Sequence, residues 1–253
     1  MLRAFTRPVS PAIGDCELTH MDRAAIDHVR ALSQHAAYEQ ALTRAGCEID
    51  QVEPADEFPD GVFVEDTAVV LDDLAVLTRP GAASRRREVE SVAATLGRWL
   101  PLARIEAPGT LDGGDVLRLG DRLYVGTSAR TNAEGIRQLA GLAGIEVIPV
   151  PLKGALHLKT AVTALDPETI LFQPHWVDPA HFTGARVVEV DPSEPFAANT
   201  LRVGETLIVP AAHPRTAERC EALVPRIELV EADELAKAEG GVTCCSIIME
   251  TSR

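Results

Sequence analysis

Two adjacent cysteines near the end of the chain are the first residues whose setting suggests chemistry. Gly240 and Gly241 precede Cys244 and Cys245, and the apolar stretch 247–249 indicates a short buried strand directly after them. A thiol held at such a rigid element is a candidate nucleophile once it loses its proton. Free cysteines are also often buried as small apolar side chains, so this stretch alone leaves both interpretations open.

A cysteine nucleophile needs a proton donor for its leaving group, and His157 is the candidate. It lies between two leucines at the start of a predicted strand, a setting that the other histidines lack. Asp112 lies on a glycine-bracketed turn, from which a carboxylate can orient an imidazole. Each residue also has an ordinary interpretation, as a half-buried histidine and as an Asp-Gly turn.

Glu65 and Asp66 directly precede the apolar run 67–70. Carboxylates at such a position are costly to bury unless a cation pairs with them. A guanidinium is a suitable partner because its planar donors match a carboxylate in bidentate geometry. These two acids therefore predict a site for a guanidine-like cation.

The composition limits the partners of such a site. The chain has 253 residues, of which 46% are hydrophobic, enough for a sizeable core. Lysine and arginine total 24 against 38 acids, for a formal net charge of −14. This charge disfavours binding to nucleic acid or anionic membranes and favours attraction of a cationic small molecule.

The sequence also predicts the cellular compartment and the metal content of the protein. Residues 1–8 lack the apolar run of a secretion signal, and no later run is long enough for a membrane helix, which predicts a cytoplasmic protein. Five cysteines, an odd number, fit a reducing compartment better than a disulfide framework. Since no CxxC or paired histidines occur at ligand spacing, we predict no metal site.

The apolar and turn patterns place these residues in a repeating structure. A strand is predicted around 3–5 and a long helix from about Asp22 to Gly46. Four β-hairpins are then predicted, at 67–77, 115–125, 160–172 and 200–209, with starts 40 to 48 residues apart. Helical segments follow at 85–99, 132–142 and, more weakly, 215–223.

The repeat predicts a closed ring of sheet-and-helix units, in which the stretch 242–249 completes a fifth unit with the N-terminal strand. Polar residues precede each hairpin, so a ring would bring them together at its axis although they are far apart in sequence. These residues are Asp60, Glu65, Asp66, Asp112, His157 and Asn199, with Cys244 in the last unit. A sequential α/β sheet containing hairpins is the alternative topology.

Seven motifs in a fixed order carry a family resemblance over essentially the whole chain. They are FPDGVFVED at 58–66, TRPGAASRR at 78–86, LDGGD at 111–115, SARTN at 128–132, LHLKT at 156–160, AAN at 197–199 and GGVTC at 240–244. In this order they resemble the dimethylarginine dimethylaminohydrolase family of the guanidine-modifying (pentein) superfamily. The resemblance implies an α/β fold, a five-bladed pseudo-symmetric ββαβ propeller, as one catalytic domain over residues 1–253.

The implied reaction is cofactor-free hydrolysis of asymmetric dimethylarginine and monomethylarginine to citrulline plus dimethylamine or methylamine, through a covalent cysteine-thiouronium intermediate. The resemblance makes Cys244 the nucleophile, His157 the general acid and base, and Asp112 the acid that orients it. The remaining implied contacts are with substrate: Glu65 and Asp66 with the guanidinium, Asp60 and the carbonyl of Ala238 with the α-amino group, Arg85 and Arg130 with the carboxylate, and Leu18 from a mobile lid.

Several alternatives remain open from the sequence. Strand alternation would turn Cys244 and Cys245 to opposite faces, so only one can line the axis, and the family pattern favours Cys244. An arginine deiminase, an amidinotransferase or another guanidine hydrolase of the superfamily is the enzymatic rival. A non-catalytic guanidine-binding protein is the rival of another class. A homodimer is possible, although no hydrophobic stripe marks an interface.

Overall fold

The computed structural model describes residues 1–251, and within them five three-stranded sheets surround a central axis. The predicted ring of five ββαβ units is confirmed. The strands are β1 (Leu2–Thr6), β2 (Cys47–Gln51), β3 (Ala68–Val70), β4 (Ala75–Leu77), β5 (Leu102–Arg104), β6 (Val116–Leu119), β7 (Arg122–Thr127), β8 (Glu146–Pro151), β9 (Val162–Asp166), β10 (Thr169–Phe172), β11 (Arg186–Glu189), β12 (Leu201–Val203), β13 (Thr206–Pro210), β14 (Arg226–Val230) and β15 (Ile247–Glu250).

Every sheet combines one antiparallel pair with one parallel pair. In the first unit β3 pairs antiparallel with β4, and β4 pairs parallel with β5. The same pattern recurs in β6-β7-β8, β9-β10-β11 and β12-β13-β14. A parallel neighbour requires a crossover, which is why a helical segment separates the second and third strands of each unit.

The fifth unit closes the ring with the two ends of the chain. Strand β15 pairs antiparallel with β1, and β1 pairs parallel with β2. The predicted strand 242–249 is shorter than expected, because residues 242–245 form a turn and β15 begins only at Ile247. Both adjacent cysteines therefore lie on a turn that enters the strand, not on the strand itself.

Six α-helices lie in the described residues, together with short 3-10 turns: α1 (His28–Arg44), α2 (Val89–Leu96), α3 (Ala133–Ala143), α4 (Leu158–Ala161), α5 (Pro214–Cys220) and α6 (Asp233–Ala236). Helix α1 begins later than predicted, because the Asp27 side chain caps it by accepting a hydrogen bond from the N–H of Arg30. Residues 22–27 are consequently extended chain at the surface.

The other crossovers show where propensity predicted helices well and where it did not. Asn132 caps α3 and Gly144 ends it in the left-handed conformation, as its position in the pattern indicates. The helix predicted at 85–99 is split into a 3-10 helix (Ala83–Glu88) followed by α2. In the described part of the third unit the crossover contains only a 3-10 turn, Pro179–His181.

The first strands of all five units line a channel along the axis, with a volume of about 270 Å³. Buried apolar side chains fill the space between the sheets and the outer helices in five clusters. No helix among residues 1–251 is long and apolar enough to cross a membrane. The predicted single domain of residues 1–253 includes two terminal residues that lie outside the described range.

Candidate active site

Three of the four hairpins are entered through a short helical turn near the ring axis. A 3-10 turn (Val64–Thr67) leads into β3, a second (Gly113–Asp115) leads into β6, and α4 leads into β9. Since these turns are equivalent in the repeat, they meet at one end of the axis. The predicted convergence of Asp66, Asp112 and His157 is confirmed by the distances between them.

His157 is held by the carboxylate of Asp112. Its Nε2 lies 3.0 Å from Asp112 Oδ2, and both side chains are buried, with 4% and 0% of their surfaces exposed. Asp112 is fixed in turn, because its Oδ1 accepts a hydrogen bond from the N–H of Gly81 at 2.8 Å. The imidazole therefore has one orientation, set by an acid that cannot rotate freely.

Asp66 approaches the imidazole from the other side. Its Oδ1 lies 3.8 Å from His157 Nδ1 and accepts a hydrogen bond from the N–H of Gly114 at 3.0 Å. A Cβ at Gly114 would lie 2.8 Å from both Asp66 Oδ1 and His157 Nδ1, so the close packing requires glycine there. We call Asp66, Asp112 and His157 the buried cluster.

The charges of the buried cluster determine its protonation. Burial alone would lower the pKa of His157, but the charge of Asp66, the hydrogen bond to Asp112 and the charge of Asp115 together raise that pKa to about 9. His157 is consequently an imidazolium at neutral pH. It can donate a proton but cannot accept one until it has lost one.

Arg85 lies beneath Asp66 and is almost fully buried. Its Nη1 donates to Asp66 Oδ2 at 2.5 Å, its Nε and Nη2 donate to Glu88, and Nη2 also donates to the carbonyl of Phe63. Burial acts to raise the pKa of Asp66, but the charges of His157 and Arg85 lower that pKa to about 2. Asp66 is therefore ionised at neutral pH.

The partners of Arg85 in this structure are buried acids, and its predicted contact with a substrate carboxylate stays a prediction. The guanidinium points at buried acids because Glu88, one turn along the 3-10 helix, captures it from the opposite side. Residue spacing alone does not show this, since the run Arg85-Arg86-Arg87 is typical of an exposed surface.

Cys244 lines a cavity of about 680 Å³ and lies close enough to Asp66 for the charge of that acid to act on its thiol, whereas Cys245 is buried. The Sγ of Cys244 accepts a hydrogen bond from the N–H of Gly241 at 3.3 Å, which places the thiol at the mouth of a tight turn. The expectation that only one of the two thiols reaches the cavity is confirmed. Its predicted reason, strand alternation, is wrong, because both cysteines precede β15.

The surroundings of the thiol keep it protonated in the unliganded site. Burial first, and then the negative charges of Glu65 and Asp66, raise the pKa of Cys244 to about 12. A cation that enters between these acids and the sulfur would remove the electrostatic part of this penalty. A positively charged group at this position would therefore favour the thiolate.

Glu65 is engaged by residues that sequence reasoning did not single out. Its Oε1 lies 2.5 Å from Lys159 Nζ, and its Oε2 accepts from Thr243 Oγ1 at 2.8 Å. Asn199 holds the same threonine, accepting from its N–H at 3.1 Å. Lys159 belongs to the motif LHLKT and Thr243 to GGVTC, so their motifs were the only sequence signal for them.

The remaining residues predicted to contact a substrate are Asp60, Arg130, Leu18 and Ala238. Asp60 is buried and accepts from the N–H of Glu17 at 3.1 Å. Arg130 donates to Thr19 Oγ1 at 3.0 Å. Leu18 is half-buried against the core cluster that contains Ala238. The predicted carbonyl contact of Ala238 with a substrate stays a prediction.

The buried cluster also has the ligand types of a metal site, with candidate ligand atoms all within 4.8 Å of one another. Hydrogen bonding and ion pairing account for this proximity. Asp66 is bonded to Arg85 and Gly114, and Asp112 to His157 and Gly81. Four adjacent cations or donors make a poor setting for a further cation.

The geometry combines a thiol at a cavity, a protonated imidazole, an acid that orients it and fixed carboxylates beside both. Such a site can bind a planar cation, form a covalent bond from sulfur to its central carbon and protonate a departing nitrogen. These are the parts needed for substitution at a guanidinium or amidinium carbon.

Comparison with known proteins gave close relatives over nearly the whole chain, although no protein-family model matches. The chain is 43% identical over 255 residues to N(G),N(G)-dimethylarginine dimethylaminohydrolase of Streptomyces coelicolor, covering 97% of this chain and 96% of the relative. It is 41% identical over 226 residues to the protein of the same name from Pseudomonas aeruginosa, covering 87% and 89%. A solved structure of a cysteine-to-serine variant of the Pseudomonas aeruginosa enzyme with citrulline superposes with a TM-score of 0.94 at 38% identity, covering 98% of this chain and all of that one.

Proposed function

The chain belongs to the dimethylarginine dimethylaminohydrolase family, and from this premise we propose how its own residues carry out the reaction. It is a hydrolase of carbon–nitrogen bonds that converts methylated arginines to citrulline and an amine. The observation that carries the assignment of residues is the buried cluster beneath Cys244, with His157 fixed between Asp66 and Asp112.

The charges at the cavity set the orientation of the substrate. The guanidinium lies beside Cys244, where Asp66 and Glu65 supply fixed negative charge. Arg130 and Asp60, which contact Thr19 and Glu17, receive the α-carboxylate and the α-ammonium group. Arg85 contributes through Asp66, which it holds ionised and in place. The guanidinium end and the α-amino acid end of an arginine derivative are thereby assigned to different walls.

Substrate binding activates the nucleophile. With the cationic head between the acids and the sulfur, the Cys244 thiol ionises and its proton leaves to solvent. The thiolate then forms a C–S bond to the guanidinium carbon. The acids that raise the pKa of the Cys244 thiol in the empty site also bind the substrate. The reactive thiolate therefore forms only where a substrate is present to be attacked.

His157 completes both halves of the reaction. As an imidazolium it donates its proton to the methylated nitrogen, the C–N bond breaks, and dimethylamine or methylamine leaves a thiouronium on Cys244. The neutral imidazole then takes a proton from water, whose oxygen attacks the same carbon. The C–S bond then breaks, the proton that remains on this oxygen passes to the sulfur, and citrulline leaves with the Cys244 thiol restored.

Product analysis tests the proposed substrate class. The protein is incubated separately with asymmetric dimethylarginine and with arginine, and the amines released are quantified. We expect dimethylamine and citrulline from the first substrate to be the chief products. Ammonia from arginine as the chief product would instead identify an arginine deiminase, the enzymatic rival. Mass analysis after incubation with a reactive amidine should place a covalent adduct on Cys244.

Location, domain organisation and oligomeric state complete the proposal. We propose a cytoplasmic location, which the five free thiols in residues 1–251 favour because oxidising compartments promote disulfides. We also propose that residues 1–253 act as one catalytic domain, since the first strands of all five units line the same channel. A homodimer stays a prediction, and sedimentation of the purified protein would test it.

A further inference from the structure

The loop over the cavity mouth is fastened by one glutamate from the far end of the chain. We call residues 16–27 the lid segment, of which His20 and Met21 line the cavity together with Cys244. The carboxylate of Glu239 accepts hydrogen bonds from the N–H groups of Thr19 at 3.0 Å and of His20 and Met21 at 2.6 Å.

Three consecutive N–H groups directed at one carboxylate form a small anion-binding concavity. The lid segment supplies this concavity, and Glu239, about 220 positions later, fills it. Hydrogen bonds to an ionised acceptor are stronger than those between neutral groups. Since residues 19–21 are exposed and outside any helix or strand, these bonds are a major restraint on that part of the loop.

The backbone of Glu239 supports a specific role for its side chain. Glu239 has φ of +57°, in the left-handed region that favours glycine, and it is the one non-glycine residue with positive φ within residues 1–251. Two glycines follow it, and they lead to Cys244. A glycine at 239 would avoid the backbone cost, so the retained glutamate is explained by what its carboxylate binds.

We propose that Glu239 is a positioning residue that holds the lid segment closed over the cavity. When the carboxylate binds residues 19–21, the segment also meets Asp60 through the N–H of Glu17, and Arg130 through Thr19 Oγ1. His20 and Met21 are thereby held at the cavity that Cys244 lines. The consequence for substrate affinity rests on the proposed function, whereas closure of the loop does not.

Loop closure is measured without substrate by limited trypsin digestion. Arg23 is an exposed residue of the lid segment, and cleavage after it gives the fragment 1–23, identified by mass. We expect Glu239→Ala to raise the rate of this cleavage about tenfold, since it removes every bond from the carboxylate to the loop. Cleavage at sites outside the lid segment should keep its original rate.

Steady-state kinetics with dimethylarginine gives the second readout. Glu239→Ala should raise KM about tenfold and change kcat by less than about threefold, because the chemistry occurs beneath the loop. Glu221→Ala, at an exposed glutamate directly after α5, is the matched control and should change neither quantity. If the parent protein does not turn over dimethylarginine, the proposed function fails, while the trypsin result still decides the role of Glu239.

A glycine variant separates the carboxylate from the backbone. Glu239→Gly relieves the positive φ, so its melting temperature should equal or exceed that of the parent, yet it should show the same rapid cleavage as the alanine variant. Slow cleavage in both variants would overturn the proposal. Rapid cleavage in the alanine variant alone would also overturn it, because backbone strain would then be the cause.

Discussion

The buried cluster and the lid segment are held in place by different kinds of contact. In the cluster, Asp66, Asp112 and His157 have at most 4% of their surfaces exposed. Each lies in, or directly before, the helical turn that precedes strand β3, β6 or β9. In the lid segment, Thr19, His20 and Met21 are exposed and bonded to side chains from other units. The cluster is thus part of the ring, whereas the lid is attached to it.

Because of this difference, the buried cluster is suited to the chemical steps and the lid segment to substrate entry and release. Proton transfer and attack need distances fixed within fractions of an ångström, which buried turns with several hydrogen bonds supply. Entry and release need a part that opens, and exposed hydrogen bonds to a loop break at little cost. Changes in the buried cluster or its thiol should therefore lower kcat or stability, and changes in the lid segment should mainly raise KM.

The largest effect should come from the thiol itself. Cys244→Ser should lower kcat by at least about 10⁴-fold, because a hydroxyl stays protonated where the thiol ionises. Binding of citrulline, measured by calorimetry, should be retained. Cys245→Ala, which removes the buried neighbour, should keep kcat within about threefold of the parent. Turnover by the serine variant, or loss of turnover only in the alanine variant, would show that Cys244 is not the nucleophile.

Removal of the imidazole should have the next largest effect. His157→Gln should lower kcat by about 10²- to 10⁴-fold, since the departing amine loses its proton donor. In the parent enzyme kcat should fall as the pH rises through about 9, where the imidazolium of His157 is lost. A kcat that stays constant up to pH 10 would contradict the assignment of His157 as the acid.

The same residue links stability to pH. The folded pKa of about 9 exceeds the ordinary value of 6.5, so the folded protein retains a proton that the unfolded chain has lost. This contribution to stability is complete below pH 6.5 and is lost as the pH rises to about 9. Denaturant titrations across this pH range should show that the free energy of unfolding of the parent decreases. The decrease should be smaller for His157→Gln.

The sequence was sufficient to predict the elements that local residue patterns determine, namely the hairpins and the polar residues before them. Turn residues between two apolar runs predicted all four hairpins, and the polar residues ahead of them predicted where Asp66, Asp112 and His157 would meet. The start of α1 was misplaced, because the apolar spacing continues upstream of Asp27 but the cap at Asp27 decides where the helix begins.

Contacts between distant residues were not accessible in the same way. Arg85 lies in a run of arginines typical of a surface, and only the fold brings Asp66 and Glu88 to both sides of it. Glu239 has no motif that marks it as a partner of Thr19, some 220 positions earlier. In each case an ordinary residue type acquires its role from a neighbour that the sequence order conceals.

Arg85 offers a test of how far the ring itself depends on the buried cluster. Arg85→Met should reduce the free energy of unfolding by about 3–5 kcal/mol, because Asp66 and Glu88 would remain buried without their cation. Arg104→Met, which breaks an exposed pair with Glu90, should cost less than about 1 kcal/mol. Equal losses from the two variants, measured by denaturant titration, would show that burial does not distinguish these pairs.

The smallest effect should come from a single contact of the lid segment. Thr19→Val removes the hydroxyl that accepts from Arg130 but keeps the N–H that donates to Glu239. We expect KM for dimethylarginine to rise about two- to fivefold, the value of one partly exposed hydrogen bond, with kcat nearly unchanged. Thr19→Ser restores the hydroxyl and should restore KM. If the valine variant lowered kcat as strongly as it raised KM, the lid would have to position the reacting groups as well, and the division between a fixed chemical site and a movable binding loop would no longer hold.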